Sequence, residues 1–228
     1  MKRYFVLALG IMLVAGQVYA QEVTLKTQKD KVSYSIGMDI GMTLKNQSID
    51  IDPAILARGI RDSLSGQKPL MTEQEIRDAM AAFQKEMMAK QQEAMKQAGE
   101  KNKKEGEGFL AENKKKEGVK TLPSGLQYKV MKAGKGKKPK ATDTVTTDYR
   151  GTLIDGTEFD SYYKRGKPAT FAVNGVIPGW TEALQLMHVG EKWRIFVPSE
   201  LAYGANGAGG VIGPHSVLIF DVELLGID

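Results

Sequence analysis

The sequence contains no cysteine, and this absence excludes disulfides, thiol catalysis, thiolate metal sites and a lipid-modified cysteine. Histidine is nearly absent too, because His188 and His215 are the only two and they do not form a HExxH zinc motif. No nucleophile-elbow motif accompanies them, so a Ser-His triad is not expected either. We therefore expect a protein without a bound metal or cofactor.

Long hydrophobic runs are scarce. The apolar run over residues 5–15 is shorter than the roughly 20 residues that a membrane-spanning helix needs. It follows Lys2 and Arg3 and is followed by small residues up to Ala20, which is the pattern of a secretory signal peptide cleaved after Ala20. An uncleaved membrane anchor is the alternative interpretation. We expect an exported chain with no membrane span.

A concentrated charge of one sign is also missing. The formal net charge is +5 and the pI is about 9.1, but the basic excess is spread along the chain. Binding to nucleic acid requires a dense cationic surface, so we expect no nucleic-acid partner. With 228 residues, 42% of them hydrophobic and 26% charged, the chain can form one large globular domain or two small ones.

The first half of the chain has helical periodicity. From Ser33 onward, Ile36 and Ile40 lie four residues apart, and Met38 and Met42 form a second apolar stripe beside them. Burial in the core of a monomer is the simplest interpretation of such stripes. Two short helices bury little apolar surface by themselves, however. We therefore expect these four side chains to pair two chains into a homodimer.

Two further helices have clear start signals. Asp52 and Pro53 predict the beginning of a second helix that ends at Gly66. The capping-box pattern from Thr72 to Glu75 predicts a third helix, which meets no proline before Pro123. We predict that this helix runs to about residue 116. Its sequence is almost entirely polar beyond residue 95, which predicts a solvated connecting segment.

The second half is richer in glycine and alternates apolar with polar residues. This alternation predicts strands over residues 126–131, 145–153, 171–173, 192–197 and 217–225, with one short helix over residues 181–187. Short links such as Asp155-Gly156 favour antiparallel neighbours. The expected fold class is α+β, with an antiparallel sheet wrapped on one short helix. The predicted divisions are a signal peptide (1–20), a helical dimerisation domain (21–70), a connecting helix (71–118) and the sheet domain (119–228).

Three blocks of the second half resemble the FKBP family of peptidyl-prolyl isomerases, which bind tacrolimus and rapamycin. The blocks are YRGTLIDGTEFDS (149–161), VIPGWTEALQLM (176–187) and LAYGANGAGGVIGPHSVLIFDVELL (201–225), in the family's order and spacing. The resemblance implies an FKBP-like fold for residues 119–228.

The first half is similar to one branch of that family, the macrophage infectivity potentiator (Mip) proteins of Gram-negative bacteria. The matching segments are DKVSYSIGMDIG (30–41), GFLAENKKKEGVKTLPSGLQYKV (108–130) and the signal peptide. The resemblance thus covers nearly the whole mature chain. It implies N-terminal helices that dimerise and a long helix that carries each catalytic domain.

The resemblance also implies the residues of the active site. The expected catalytic residues are Asp160, Tyr203, Trp180 and Phe159. The expected substrate-binding residues are Tyr149, Arg165, Val176, Ile177, Ile212 and Phe220.

Roles within this set follow from the family. Trp180 is the expected floor beneath the prolyl ring, and the Ile177 N–H and the Tyr203 hydroxyl are the expected donors to the substrate. Asp160 is expected at the pocket edge, with Arg165 and tyrosine hydroxyls as partners. Two positions depart from the family pattern, Ala169 in place of phenylalanine and Ala208 at a position that often holds histidine. These departures put macrolide affinity and the preferred residue before proline in question.

The expected function is an exported peptidyl-prolyl cis-trans isomerase that also acts as a chaperone. Its partners would be proline-containing unfolded or exported proteins, and macrolides such as tacrolimus or rapamycin would inhibit it. The expected location is the periplasm or the outer membrane and cell surface of a Gram-negative bacterium, and the resemblance implies a link to virulence. The alternative is a chaperone or surface binding module whose pocket is not significantly catalytic.

Overall fold

A computed structural model describes residues 24–162 and 166–228. The chain divides into two compact units, Met1–Thr72 and Glu73–Asp228. The predicted signal peptide and Arg165 lie outside the described residues. Within those residues, no helix combines the length and the apolar character needed to cross a membrane.

The first unit contains helices α1 (Gln28–Asn46) and α2 (Pro53–Ser65). Helix α1 begins five residues before Ser33, because Thr27 and Asp30 form a capping box that satisfies backbone N–H groups at its start. The start predicted for α2 is confirmed, since the Asp52 carboxylate accepts hydrogen bonds from the N–H groups of Ala54 and Ile55. Gly66 ends this helix in the left-handed conformation, with φ of 66°.

The apolar stripes of α1 are largely open to solvent in the single chain. Ile36, Met38 and Met42 are 57%, 46% and 51% exposed, and Ile40 is half-buried. No residue of α1 is buried. Dimerisation through these side chains stays a prediction, and their exposure leaves them available for it.

The second unit begins with helix α3 (Glu73–Asn113), which starts directly after Thr72 as predicted and ends three residues before residue 116. The expectation of a fully solvated segment beyond residue 95 is wrong for one face of this helix. Gly99, Gly106 and Asn113 are buried against the sheet domain. Glycine and asparagine made this face look polar, although small residues permit close packing.

Seven antiparallel strands in the described part of the chain form one sheet: β1 (Val119–Thr121), β2 (Gln127–Lys132), β3 (Thr144–Leu153), β4 (Glu158–Ser161), β5 (Ala169–Ala172), β6 (Lys192–Val197) and β7 (Leu218–Ile227). Their order is β1-β2-β6-β7-β3-β4, and β5 also pairs with β3. The five predicted strands are confirmed within two residues at each end. Strands β1, of three residues, and β4, of four residues, were not predicted from the sequence.

Helix α4 (Pro178–Leu186) lies on one face of the sheet and begins three residues earlier than predicted. Proline at its first position explains this, since the fixed φ of proline suits a helix start. The helix buries Trp180, Ala183 and Leu184 in the core. Strand β7 alternates buried and half-buried residues, so every second side chain joins the same core. The predicted α+β fold class is therefore confirmed.

Candidate active site

A cavity of about 810 Å³ opens between α4, the sheet and the loop that follows β6. Its lining residues are Tyr149, Phe159, Asp160, Phe171, Gly175, Val176, Ile177, Trp180, Ala202, Tyr203, Ala208, Gly209, Val211, Ile212 and Phe220. Nine of the ten residues predicted for the site are in this set. The tenth, Arg165, lies outside the described residues.

The floor of the cavity is a cluster of aromatic rings around Trp180. The indole ring centroid lies 5.0 Å from that of Tyr149, 5.3 Å from that of Phe220 and 5.8 Å from that of Phe171, all edge to face. Such contacts stabilise aromatic pairs and hold the rings in one orientation. Within the described part of the chain, the buried Trp180 Nε1 has no hydrogen-bond acceptor.

One wall depends on a close ring contact that glycine permits. Phe159 of β4 and Phe220 of β7 meet edge to face at 5.4 Å, across Gly151 of β3. A Cβ atom at position 151 would lie 2.6 Å from the Phe159 ring and 2.9 Å from the Phe220 ring. Any larger residue there would push the two rings apart and change the shape of the wall.

The polar edge of the cavity is formed by Tyr149 and Asp160. The Tyr149 hydroxyl donates a hydrogen bond to Asp160 Oδ2, which joins neighbouring strands β3 and β4. A carboxylate acceptor makes this bond stronger than one between neutral groups. The edge is therefore anchored to the sheet.

Besides Trp180 Nε1, two further polar groups at the cavity have no protein partner among the described residues. The Ile177 carbonyl accepts hydrogen bonds from the N–H groups of Trp180 (2.9 Å) and Thr181 (3.1 Å), while its own N–H has no acceptor. The Tyr203 hydroxyl has none either, and this side chain is 42% exposed at the mouth of the cavity. Both groups can donate to a bound molecule.

Several lining residues were not predicted from the sequence. They are Phe171, Gly175, Ala202, Gly209 and Val211. Phe171 could have been assigned from strand alternation, because every second residue of β5, Ala169 and Phe171, is half-buried while the residues between and after them are exposed. Gly209 and Val211 had no such signal, since GANGAGGVIG (204–213) has neither strand nor helix periodicity.

Comparisons with known proteins cover both halves of the chain. Residues 29–130 match the family described as the domain amino terminal to FKBP-type peptidyl-prolyl isomerase. Residues 135–225 match the FKBP-type peptidyl-prolyl cis-trans isomerase family.

Individual relatives match over nearly their full lengths. The outer membrane protein MIP of Legionella longbeachae is 51% identical over 96% of this chain and 94% of its own. The peptidyl-prolyl cis-trans isomerase Mip of Coxiella burnetii is 46% identical over 100% and 99%. The crystal structure of FkpA from Escherichia coli superimposes with a TM-score of 0.72, at 39% identity over 90% of this chain and 99% of that one.

Proposed function

Because the chain belongs to the FKBP-type peptidyl-prolyl cis-trans isomerase family, we propose that the cavity over Trp180 is where it rotates X–Pro bonds. The chain is an isomerase of the Mip and FkpA type. The observation that carries the assignment of the site is the aromatic floor, which combines an apolar surface with polar groups only at its edge.

The reaction requires rotation about a partial double bond. Amide resonance sets a barrier of about 18 to 20 kcal/mol, and uncatalysed prolyl isomerisation takes about 10 to 100 s. Twisting the C–N bond removes the resonance and reduces the charge separation at the carbonyl. A site that binds the twisted form better than either planar form therefore accelerates the reaction without a covalent intermediate.

The cavity has the surfaces that such binding requires. The prolyl ring would lie over Trp180, between the rings of Tyr149, Phe159 and Phe220. These apolar surfaces exclude water, which favours the less polar twisted amide over the planar one. The rings are held by one another, so they are already oriented when the substrate arrives.

The polar groups would orient the peptide on either side of the proline. The Ile177 N–H and the Tyr203 hydroxyl are free to donate to substrate carbonyls. Asp160 would shape the edge through its bond with Tyr149, and Arg165 is the further partner that the sequence predicts.

An envelope location is supported by two observations. The relative in Legionella longbeachae is named an outer membrane protein, and residues 1–20 have the pattern of a secretory signal. We propose that the mature chain acts outside the cytoplasm on exported, proline-containing proteins. We also propose that macrolides such as tacrolimus inhibit the protein. Ala208 lines the cavity at a position that often holds histidine in the family, so it is the position at which macrolide affinity would differ most.

Chaperone activity and dimerisation are proposed for the first unit. A cavity of about 510 Å³ between α1 and α2 is almost wholly apolar, with Ile40, Leu44, Leu56 and Ile60 in its lining. Together with exposed Ile36, Met38 and Met42, it provides an apolar surface that a second copy would cover. The same surface supports the second candidate function, a binding module that holds unfolded clients without turning them over.

Exchange NMR on an Ala-Pro and a Phe-Pro tetrapeptide tests the catalytic assignment. The mature protein should accelerate cis-trans exchange, and Asp160→Asn should reduce turnover because it removes the charge from the acceptor of the Tyr149 bond. Asp155→Asn, in the exposed turn after β3, is the matched control and should leave turnover unchanged. No acceleration by the unaltered protein on either peptide would favour the binding module, and equal turnover for the Asp160 and Asp155 variants would remove Asp160 from the site.

A further inference from the structure

One face of helix α3 packs against the sheet domain through Gly99, Asn102, Gly106, Phe109 and Asn113. These residues recur at spacings of three and four, which places them on a single face of the helix. We call this set the docking face. A Cβ atom at Gly106 would lie 2.7 Å from Val217 Cγ2, and one at Gly99 would lie 3.3 Å from His215 and Pro214. The helix backbone therefore approaches residues 214–217 closely.

Residues 202–212, which we call the loop wall, form one side of the cavity. Ala202, Tyr203, Ala208, Gly209, Val211 and Ile212 all line the cavity. Two backbone hydrogen bonds between Ala208 and Ile212, of 2.8 and 3.0 Å, close the loop on itself. Gly204, Gly207, Gly209 and Gly210 have positive φ. A glycine-rich segment has high conformational freedom, so the loop wall needs external contacts to hold one position.

Those contacts come from the residues immediately after the loop wall. Asn102 Nδ2 on the docking face donates a hydrogen bond of 2.8 Å to the Pro214 carbonyl oxygen and lies 3.4 Å from Ser216 Oγ. The His215 N–H then donates to the Gly204 carbonyl, at 2.8 Å, inside the loop wall. A chain of hydrogen bonds thus runs from Asn102 through residues 214 and 215 to the start of the loop wall.

We propose that Asn102 is a positioning residue for the isomerase reaction, which fixes the loop wall over the Trp180 floor from outside the cavity. The proposal rests on the assignment of the cavity as the active site. Asn102 does not line the cavity and touches no expected substrate position. It acts through the backbone of residues 214 and 215, which connects the long helix to the Tyr203 side of the site.

The rest of the cavity does not depend on Asn102. Trp180 is on α4, and Tyr149, Phe159 and Phe220 are on the paired strands β3, β4 and β7. Removing the Asn102 amide should therefore loosen only the loop wall. Substrate binding should weaken, because the Tyr203 hydroxyl and the Ile212 side chain would occupy their positions for less of the time. The rate of the bound complex should change less, since the aromatic floor is unchanged.

Asn113 offers a matched control on the same docking face. Its amide is buried and donates at 2.9 Å to Gln127 Oε1 of β2, while Gln127 Nε2 donates to the Leu110 carbonyl. Asn113→Ala and Asn102→Ala therefore each remove one amide that ties α3 to the sheet domain. Only Asn102→Ala breaks the series of hydrogen bonds that leads to the loop wall.

The test measures KM and kcat on the full mature chain, using an Ala-Pro and a Phe-Pro tetrapeptide. For Asn102→Ala we expect KM to rise about threefold to tenfold, the range set by losing one ordinary hydrogen bond, with a smaller change in kcat. Asn102→Asp keeps the shape but places an acceptor against the Pro214 carbonyl, so KM should rise at least as much. Asn113→Ala should lower the melting temperature more than Asn102→Ala and leave KM unchanged.

Amide hydrogen exchange provides a readout independent of activity. The N–H groups of Ala208 and Ile212 should exchange faster in Asn102→Ala than in the unaltered protein, and not in Asn113→Ala. An unchanged KM in both Asn102 variants, or equal KM changes in the Asn102 and Asn113 alanine variants, would overturn the proposal. An unaltered protein that fails to accelerate either peptide would instead overturn the assignment of the cavity.

Discussion

The Trp180 side chain is buried and also forms the floor of the cavity. The family resemblance predicts that Trp180 lies beneath the prolyl ring, and this side chain is only 4% exposed and belongs to the central core. Its residual surface faces the cavity, while three aromatic neighbours cover the rest. Replacing it by alanine would therefore remove core packing and substrate contact together, at a cost of about 3 to 5 kcal/mol in stability.

Trp180→Phe separates the two contributions better. We expect it to keep most aromatic contacts, to lose about 0.5 to 3 kcal/mol of stability and to lower kcat/KM on both tetrapeptides several-fold. Exchange NMR well below the melting temperature measures the rate, and calorimetry measures the stability.

Trp193→Phe is the control for this substitution. Trp193 is also 4% exposed, but it stacks on Tyr128 at 4.1 Å, donates to Glu191 and does not line the cavity. It should lose comparable stability with kcat/KM unchanged. Equal losses of kcat/KM in both variants would show that the effect of Trp180 is only structural.

At the scale of elements, helix α3 has two different surfaces in its C-terminal half. The docking face contacts the sheet domain, and Phe109 lies 5.9 Å from the ring of Phe196 on β6. Gly108, two residues from Gly106, has no atom within 4 Å of a Cβ placed on it. Two glycines of one helix thus have opposite surroundings.

Alanine substitutions should therefore change stability in opposite directions. Gly106→Ala places a methyl group against Val217 and should destabilise the protein by about 1 to 3 kcal/mol. Gly108→Ala should stabilise it by up to about 1 kcal/mol, because alanine is the better helix former. Urea unfolding of the two variants measures both changes. A stabilised Gly106→Ala variant would show that α3 does not dock on the sheet domain.

The start of α1 should depend on pH through Asp30. Hydrogen bonds from the backbone and side chain of Thr27, followed by the backbone of Lys26, lower the pKa of the Asp30 carboxyl group. The capping box therefore stabilises the ionised form of the Asp30 carboxyl group. Its contribution to α1 should be complete above about pH 4, the ordinary range of aspartate, and should be lost as the pH falls through the lowered pKa.

NMR titration of the Asp30 carboxyl group checks this expectation. The Asp30 midpoint should lie below that of an unstructured peptide containing the same residues. A midpoint at or above the peptide value would mean that the capping box is not formed in solution.

At the scale of the whole molecule, the two units divide the proposed work. The second unit, Glu73–Asp228, contains the cavity, the loop wall and the docking face that holds it. The first unit contains the exposed apolar surface of α1. A tetrapeptide needs only one cavity, whereas an unfolded client could visit both cavities of a dimer that is held together by that apolar surface.

A chain of residues 73–228 should therefore turn over tetrapeptides at the rate of the full protein per cavity. It should be slower on a protein whose refolding is limited by proline isomerisation, because two linked sites raise the effective concentration of a client. Analytical ultracentrifugation should show the full chain as a dimer and the shorter chain as a monomer. Equal refolding rates for the two chains would leave the first unit without a role in client capture.

Single substitutions distinguish dimerisation from loss of a whole unit. Met42→Lys should convert the full chain to a monomer and slow client refolding as the truncation does. Met131→Lys, at a similarly exposed methionine of β2, should do neither. If a variant with both Met38 and Met42 replaced by lysine still forms a dimer, the interface does not involve this face of α1.

Local patterns in the sequence determined most of the helices and strands. Asp52 caps α2 by accepting hydrogen bonds from backbone N–H groups two and three residues further along the chain. The buried face of β7 follows from the alternation of its residues alone. Such features need no distant partner, so the chain order contains them. The family blocks likewise named nine lining residues of the cavity.

Only the tertiary structure decided how α3 is used and how deeply Trp180 is buried. The partners of Asn102 lie 112 and 114 residues further along the chain, and nothing in the local sequence identifies them. Glycine and asparagine give no apolar periodicity, so the sequence does not distinguish the docking face from a solvated helix face. Its packing against the sheet domain is visible only in the folded structure. Burial of Trp180 likewise depends on rings from β3, β5 and β7, which only the folded sheet brings together.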